Sequence, residues 1–345
     1  MKTNNRILYL DYIRAIACML VILLHVSSPY FQWNLDSYIS GENKTFWIIG
    51  NTVDSISRVC VPLFFMLSGY FFFYDKKPKL KNYTKIIFSL LFYSAFSILS
   101  YKILHKLLPD VFYYPRIGIL NTPASYHLWF FYSLLVIYML SNIFNANTSM
   151  LKQAIVPILI IMVLFNDKLT FITESIFEVK ATTLFTVSGD IVYYMIYAVV
   201  GAYIRCTNIK SNKLISFSLL LVFIVSTCFT ASLTDLESVR RGKIFIEFYS
   251  YHSPFVFISA VSLFLFVKSK NETLRENKFI SLVSKNSLPI YGFHAIVLFI
   301  IVESTKYFLK YTPITTIPIV FVITLFLSLL MSVIVKKIDI YKLLS

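Results

Sequence analysis

The stretch YLDYIRAIACMLVILLHV, from Tyr9 to Val26, is apolar enough for a membrane helix, yet it carries Asp11, Arg14 and His25. Ten residues separate Arg14 from His25. On a helix this is close to three turns, so the guanidinium and the imidazole share a face, about 16 Å apart along the axis. Asp11 lies one turn before Arg14 and can pair with it. A charge near mid-bilayer costs about 2.5–3.5 kcal/mol on insertion scales, so such residues face a bundle interior or a wet cavity. An imidazole there suits a general base, and a guanidinium suits an anion or a developing negative charge. A purely structural reading, with Asp11 and Arg14 as a locking pair and His25 as a hydrogen-bonded core residue, accounts for Asp11 better than for the imidazole.

Three later stretches repeat the pattern of polar residues inside apolar runs. SRVCVPLFFMLSGYFFF contains Arg58 and Ser68, with Asp54 one turn before the arginine. Pro62 and Gly69 can break a membrane helix where its backbone lines a cavity. Arg58 reads as a local partner of Asp54 or as a cation for an anionic ligand, such as a phosphate or a pantetheine-linked nucleotide. ASYHLWFFYSLLVIY opens a span with His127 and Trp129. An aromatic belt explains Trp129 but not His127, and a sugar ring stacked on Trp129 is the sharper alternative. KNSLPIYGFHAIVLF places Tyr291, Gly292 and His294 within a span. Glycine allows close helix packing, and His294 suits either a backbone hydrogen bond or a functional role. His105 and His252 fall near span ends and read as interfacial. Arg240, Arg241 and Lys243 read as a solvated patch, or as a contact for lipid phosphates or a pyrophosphate-linked substrate. The histidines are scattered over different segments without HExxH, so no metal site is expected. GxGxxG, the P-loop and GxSxG are also absent, leaving a serine-hydrolase mechanism without support.

The elements that must carry these residues follow from composition. The chain has 345 residues, of which 57% are hydrophobic and 14% charged, and its mean hydropathy is +0.72. A soluble domain averages about 25% charged, and a disordered chain is far less apolar. The apolar runs are near-continuous, about 20 residues long, and lack the alternation of barrel strands. The expected fold is therefore an all-α polytopic membrane protein forming one embedded domain over 1–345. It has about ten spans, near 7–27, 47–73, 84–105, 126–145, 151–166, 184–204, 213–231, 249–268, 281–303 and 314–335. The second is long and open to a break, and the fifth is short. The first run is interrupted by charge and lacks a cleavage site, unlike a signal peptide. Cys18, Cys60, Cys206 and Cys228 form no CxxC pair and read as packing residues. The net charge of +15 is spread over short loops, where it orients a membrane protein rather than binding nucleic acid. The larger share of Lys and Arg lies on the side of the N-terminus, which predicts both termini in the cytoplasm.

Taken in order, the pair Arg14 and His25, SRVCVPLFFMLSGYFFF, YHLWFFYSLLVIYMLS and NSLPIYGFHA resemble the motifs of the membrane-bound acyltransferase 3 family, over essentially the whole chain. The resemblance implies an acyl-CoA donor on the cytoplasmic side, acetyl-CoA being the expected co-substrate, and an acceptor hydroxyl on a surface glycan, lipid-linked or polymeric. It implies residence in a bacterial inner membrane among lipids, and no permanently bound cofactor. It carries His25 over as the catalytic histidine and Arg14 as the essential arginine. Arg58 and Ser68, His127 and Trp129, and Tyr291 and His294 carry over as substrate-binding groups. Asp11 and Asp54 would support the arginines. The polar stripe from Arg14 to His25 is expected to line one wet channel. A transporter or flippase of a lipid-linked saccharide or an acyl group also keeps buried ionisable residues, but no internal repeat is visible. A structural or sensor subunit leaves the four motifs unexplained.

Overall fold

The computed structural model describes residues 7–32, 38–39, 44–74, 76–109, 122–143, 146–183, 185–209, 212–304, 311–339 and 342–344. Its elements are helices, and the one isolated bridge among the described residues pairs Asn166 with Val187. In chain order they are α1 (Leu8–Gln32), α2 (Lys44–Ser57), α3 (Cys60–Phe72), α4 (Leu80–Leu107), a 3-10 turn (Tyr126–Leu128), α5 (Trp129–Ile143), α6 (Thr148–Val163) and α7 (Leu169–Phe177). They continue with α8 (Asp190–Cys206), α9 (Lys213–Arg241), a second 3-10 turn (Glu247–Tyr249), α10 (Pro254–Ser269), α11 (Lys278–Lys285), α12 (Ser287–Ser304) and α13 (Pro313–Ile338).

Each of the ten expected spans overlaps a helix, but not all of these helices are long enough to cross a bilayer. Among the described residues, seven segments have the length and apolarity to do so, and the bent pair α11–α12 would make an eighth. The runs at 151–166 and 184–204 became α6, of 16 residues, and α8, of 17. The outer faces of the long helices are apolar, with Leu91 on α4, Phe217 and Leu221 on α9, and Val322 and Phe326 on α13 all exposed. Such a face suits hydrocarbon rather than water. The chain is thus a multi-pass membrane protein.

Two breaks matter for the site, and proline accompanies both. The run expected at 47–73 is interrupted at Arg58 and Val59. Pro62 has no N–H to return to the Arg58 carbonyl, so the helical ladder lapses there. Proline is tolerated within the first turn of the new helix, α3. The run expected at 281–303 is likewise not continuous, since α11 and α12 meet at 78°. Pro289 cannot donate to the Lys285 carbonyl, which accepts instead from Lys336 Nζ at 2.9 Å.

Close helix contacts rest on glycine. A Cβ on Gly69 would come within 1.7 Å of the Ala198 carbonyl oxygen, and one on Gly201 within 1.9 Å of the Met66 carbonyl oxygen. α3 and α8 therefore touch backbone to backbone, as small residues allow in membrane bundles. α1 lies at the centre, packed by α2, α3, α11, α12 and α13. Tyr9 near its start bonds the Tyr70 hydroxyl at 2.7 Å, and Arg205 at the end of α8 donates to the Tyr70 carbonyl at 3.1 Å. These contacts bring the start of α1 and the ends of α3 and α8 to one end of the bundle.

Candidate functional site

The break between α2 and α3 presents Arg58. Its Nε and Nη2 both lie 2.6 Å from Asp54 Oδ1. Asp54 is fully buried, and its Oδ2 has no hydrogen-bond partner among the described residues. The guanidinium sits 4.4 Å from the centre of the Tyr249 ring, a cation–π geometry. The Tyr249 hydroxyl donates to Asn51 Oδ1, and Asn51 in turn donates to the Ala231 carbonyl at 2.9 Å. Arg58 thus forms part of the wall of a cavity of about 820 Å³, with Trp129, Tyr132, Asp190, Tyr194 and Tyr251. Trp129 stacks on Tyr194, ring centres 5.6 Å apart. This cavity lies at the end of the bundle where α5 and α8 begin.

A second cavity, of about 410 Å³, lies toward the opposite end. It holds Arg14, Ser68, Lys85, Lys285 and Tyr291, with apolar walls including Phe64, Phe71 and Phe130. Arg14 lies 3.8 Å from Asp11 and 5.8 Å from the Phe71 ring centre. Asp11 is also held by Ser284, whose hydroxyl donates at 2.8 Å. Ser68 donates to the Phe64 carbonyl at 3.0 Å. The two cavities share no lining residue. Arg14 and Arg58 thus open into cavities with different linings, whereas the sequence suggested one channel along the Arg14–His25 stripe.

Three imidazoles gather between α1, α5 and α12. His25 stacks on His294 with ring centres 5.4 Å apart, and His127 meets His294 edge-on at 5.0 Å. Tyr126 closes on His25 at 4.8 Å. His294 Nδ1 donates to the Tyr291 carbonyl at 2.7 Å, which leaves Nε2 with its lone pair. That Nε2 and the His127 Nε2 are buried without a hydrogen-bond partner among the described residues. His127 Nδ1 is bonded to Ser125 Oγ at 3.1 Å. Tyr291 connects the cluster to both cavities. Its ring lines the Arg14 cavity, its hydroxyl donates to the His127 carbonyl, and Trp129, two residues on, lines the Arg58 cavity. None of the three imidazoles lines either cavity itself; Tyr291 and Trp129 stand between the cluster and those spaces. Buried groups with unused lone pairs can move a proton to or from a molecule that reaches them.

The tertiary structure thus gathers His25, His127, Tyr291 and His294, and it separates Arg14 and Ser68 from Arg58 and Trp129. Among the described residues, no group of three or more His, Cys, Asp or Glu has metal-holding geometry. His252 lies just before α10, at a span end as the sequence suggests. It is buried, and its Nδ1 donates to Asp167 Oδ2 at 3.0 Å while Nε2 donates to Asp190 Oδ1 at 2.8 Å. Arg240, Arg241 and Lys243 are exposed, in keeping with a solvated patch, and both arginines also pair with buried Glu237. Lys85, Lys285, Asp190 and Tyr251 escaped the sequence reading. Lys285 in the last turn of α11 and Asp190 in the first turn of α8 look like ordinary dipole partners, and Lys85 and Tyr251 like the basic and aromatic residues usual near span ends, so no sequence signal set them apart.

No curated protein and no solved structure matches the chain. Residues 7–333 match a family model described as an acyltransferase domain. That match spans nearly the whole bundle, with the imidazole cluster and both cavities inside it, and the chain belongs to the acyltransferase 3 family.

Proposed function

We propose that this acyltransferase moves acetyl from acetyl-CoA to a hydroxyl of a cell-surface polysaccharide, such as N-acetylglucosamine in enterobacterial common antigen. The observation that carries the reading is the imidazole cluster set between two cavities of different character. One cavity is basic and lined by aliphatic and aromatic side chains, which suits the phosphates and pantetheine arm of a CoA thioester. The other is rich in aromatic side chains, which suits a sugar. The motif resemblance supports the acetyl donor and the glycan acceptor. The topology that goes with it has ten spans and both termini cytoplasmic, in a bacterial inner membrane. The grouping of Arg14, Lys85 and Lys285 at one end of the bundle fits an inward-facing donor side.

In this mechanism neutral His25 takes the proton of the acceptor hydroxyl as its oxygen attacks the thioester carbonyl. A tetrahedral intermediate forms, its oxyanion balanced by a guanidinium. The carbon–sulfur bond then breaks, and the imidazolium returns its proton to the departing thiolate. The thioester is already activated. Arg14 steadies the donor in the basic cavity. Arg58 lies in the other cavity, so it is assigned to charge near the acceptor rather than to a donor phosphate. His127 and His294 hold and tune the imidazole pair, Tyr291 shapes the acyl passage, and Trp129 the sugar face. Ser68 lines the donor cavity. A covalent acyl-histidine is the variant in which His25 attacks the carbonyl first.

The test is transfer of radiolabel from acetyl-CoA to purified, alkali-deacetylated surface polysaccharide, with the protein in lipid. Alkali-labile label on the glycan supports an O-acetyltransferase. Glycan moved across the bilayer without label would favour the transporter instead.

A further inference from the structure

The rim of the Arg58 cavity carries a charged chain that the mechanism leaves unused. Asp167, Lys168, Asp190, Glu247 and His252 come from three separate connections: α6 to α7, the start of α8, and α9 to α10. His252 bridges Asp167 and Asp190 through both ring nitrogens. A carboxylate only accepts, so both nitrogens carry hydrogen and the ring is an imidazolium. Tyr193 lies flat against it, 4.0 Å between centres and 10° from parallel. Asn166 donates to the His252 carbonyl at 2.8 Å, and Lys168 joins Glu247 at 2.7 Å. The ring has no freedom to turn.

The two carboxylates differ in what they face. Asp167 is fully engaged. It binds His252 and lies 3.6 Å from Lys168, and the Tyr193 hydroxyl, which donates to the Val187 carbonyl at 2.8 Å, lies 3.5 Å from its other oxygen. It does not line the cavity. Asp190 does line it, and its side chain is 71% exposed there. Its Oδ1 is held by His252, while its Oδ2 has no hydrogen-bond partner among the described residues. Asp190 therefore presents one fixed acceptor oxygen to a space walled by Trp129 and Tyr194.

We infer that Asp190, aimed by His252, is an acceptor-recognition residue that accepts hydrogen bonds from sugar hydroxyls at the cavity rim. The inference rests on the glycan-acetylating reading above and adds its specificity element. An ionised carboxylate accepts from hydroxyls more strongly than a neutral group does, and a pre-aimed one loses little freedom on binding. Stacked aromatic rings beside it supply the apolar face of a sugar ring. His252 is a positioning residue and does not touch the acceptor.

The experiment compares full-length wild type, Asp190→Asn and Asp167→Asn in lipid, with radiolabelled acetyl-CoA and a deacetylated N-acetylglucosamine-containing polysaccharide. Both variants remove one charged partner of His252, but only Asp190 lines the cavity. Asp190→Asn should raise the acceptor KM about tenfold or more, leaving kcat and the acetyl-CoA KM within about twofold. Asp167→Asn should lower thermal stability and leave the acceptor KM within about twofold. If Asp190→Asn does not fold, Asp190→Glu keeps the charge on His252 but displaces the free oxygen, and it should raise the acceptor KM too. Equal acceptor KM in all variants, or equal rises at both positions, overturns the inference and leaves a structural clasp. An unlabelled glycan with wild type overturns the acetylation reading itself, and the inference with it.

Discussion

The imidazole of His25 on α1 lies against that of His294 on α12, ring centres 5.4 Å apart and planes 21° from parallel. Far apart in sequence, the two rings form one unit, and a proton taken up by one is within reach of the other's field. Replacing His25 by Ala is expected to lower acetyl transfer by about 10²-fold or more, the usual worth of a positioned base. His294→Ala should cost less, about tenfold, because it removes a neighbour and not the base. Initial rates of label transfer check this, with folding followed by thermal unfolding. Near-normal transfer by a folded His25→Ala protein would sink the assignment.

Asp54 is buried and pairs with Arg58, and its second carboxylate oxygen has no hydrogen-bond partner among the described residues. Removing one member strands the other charge, at a cost of about 3–5 kcal/mol. Asp54→Ala should therefore lower the melting temperature strongly. Arg58→Lys should not restore activity, because an ammonium cannot reproduce the planar contact with both Asp54 and Tyr249. Unfolding curves and transfer rates on the two variants give the answer. A stable Asp54→Ala protein would contradict it.

Gly69 and Gly201 bring α3 and α8 into backbone contact. Even an Ala side chain at either position meets a carbonyl, and backbone cannot move aside as a flexible side chain can. Gly201→Val should give little folded protein in the membrane. Gly242→Ala is the contrasting case. A Cβ there meets nothing within 4 Å, and the only strain is the positive φ of 60°. It should express far better. Yields by size-exclusion in detergent test the pair, and equal yields would refute the packing argument.

Lys85 and Lys285 stand in the cavity with Arg14. If that cavity takes the donor phosphates, Lys85→Glu with Lys285→Glu should raise the acetyl-CoA KM about tenfold and leave the acceptor KM unchanged. Steady-state kinetics varying each substrate separates the two constants. A rise in the acceptor constant alone would reverse the assignment of the cavities.

Burial pushes the Asp167 carboxyl up, but the hydrogen bond from His252, with that ring's charge and Lys168, outweighs it and holds the group below the usual carboxylate range. A depressed carboxylate stabilises the fold above its unfolded pKa of about 3.9, and that stability is lost as pH falls through the lower folded value. The Asp167 contribution should thus be steady across mildly acidic pH, where His252 is charged, and fade only below about pH 4. Melting temperatures of wild type and Asp167→Asn across pH should converge there. Convergence already near pH 6 would refute the argument.

Hydropathy by itself determined that the chain is helical and multi-pass, because backbone in hydrocarbon must pair within a helix or a closed barrel, and these near-continuous apolar runs lack the alternation of barrel strands. The cost of burying charge singled out Arg14, Arg58 and His25. Pairings within a few residues were legible too: Asp54 with Arg58 is set by helical spacing alone. Everything that depended on contacts between distant segments was not. No local pattern says that His25, His127 and His294 meet, that Arg14 and Arg58 open into different cavities, or that His252 joins two carboxylates. The bends at Arg58 and Asn286 were only partly legible. Proline marks where a helix loses a hydrogen bond, but neighbouring helices decide whether the chain bends there. Those neighbours are set by packing, which the glycines of α3 and α8 permit and the sequence order does not reveal.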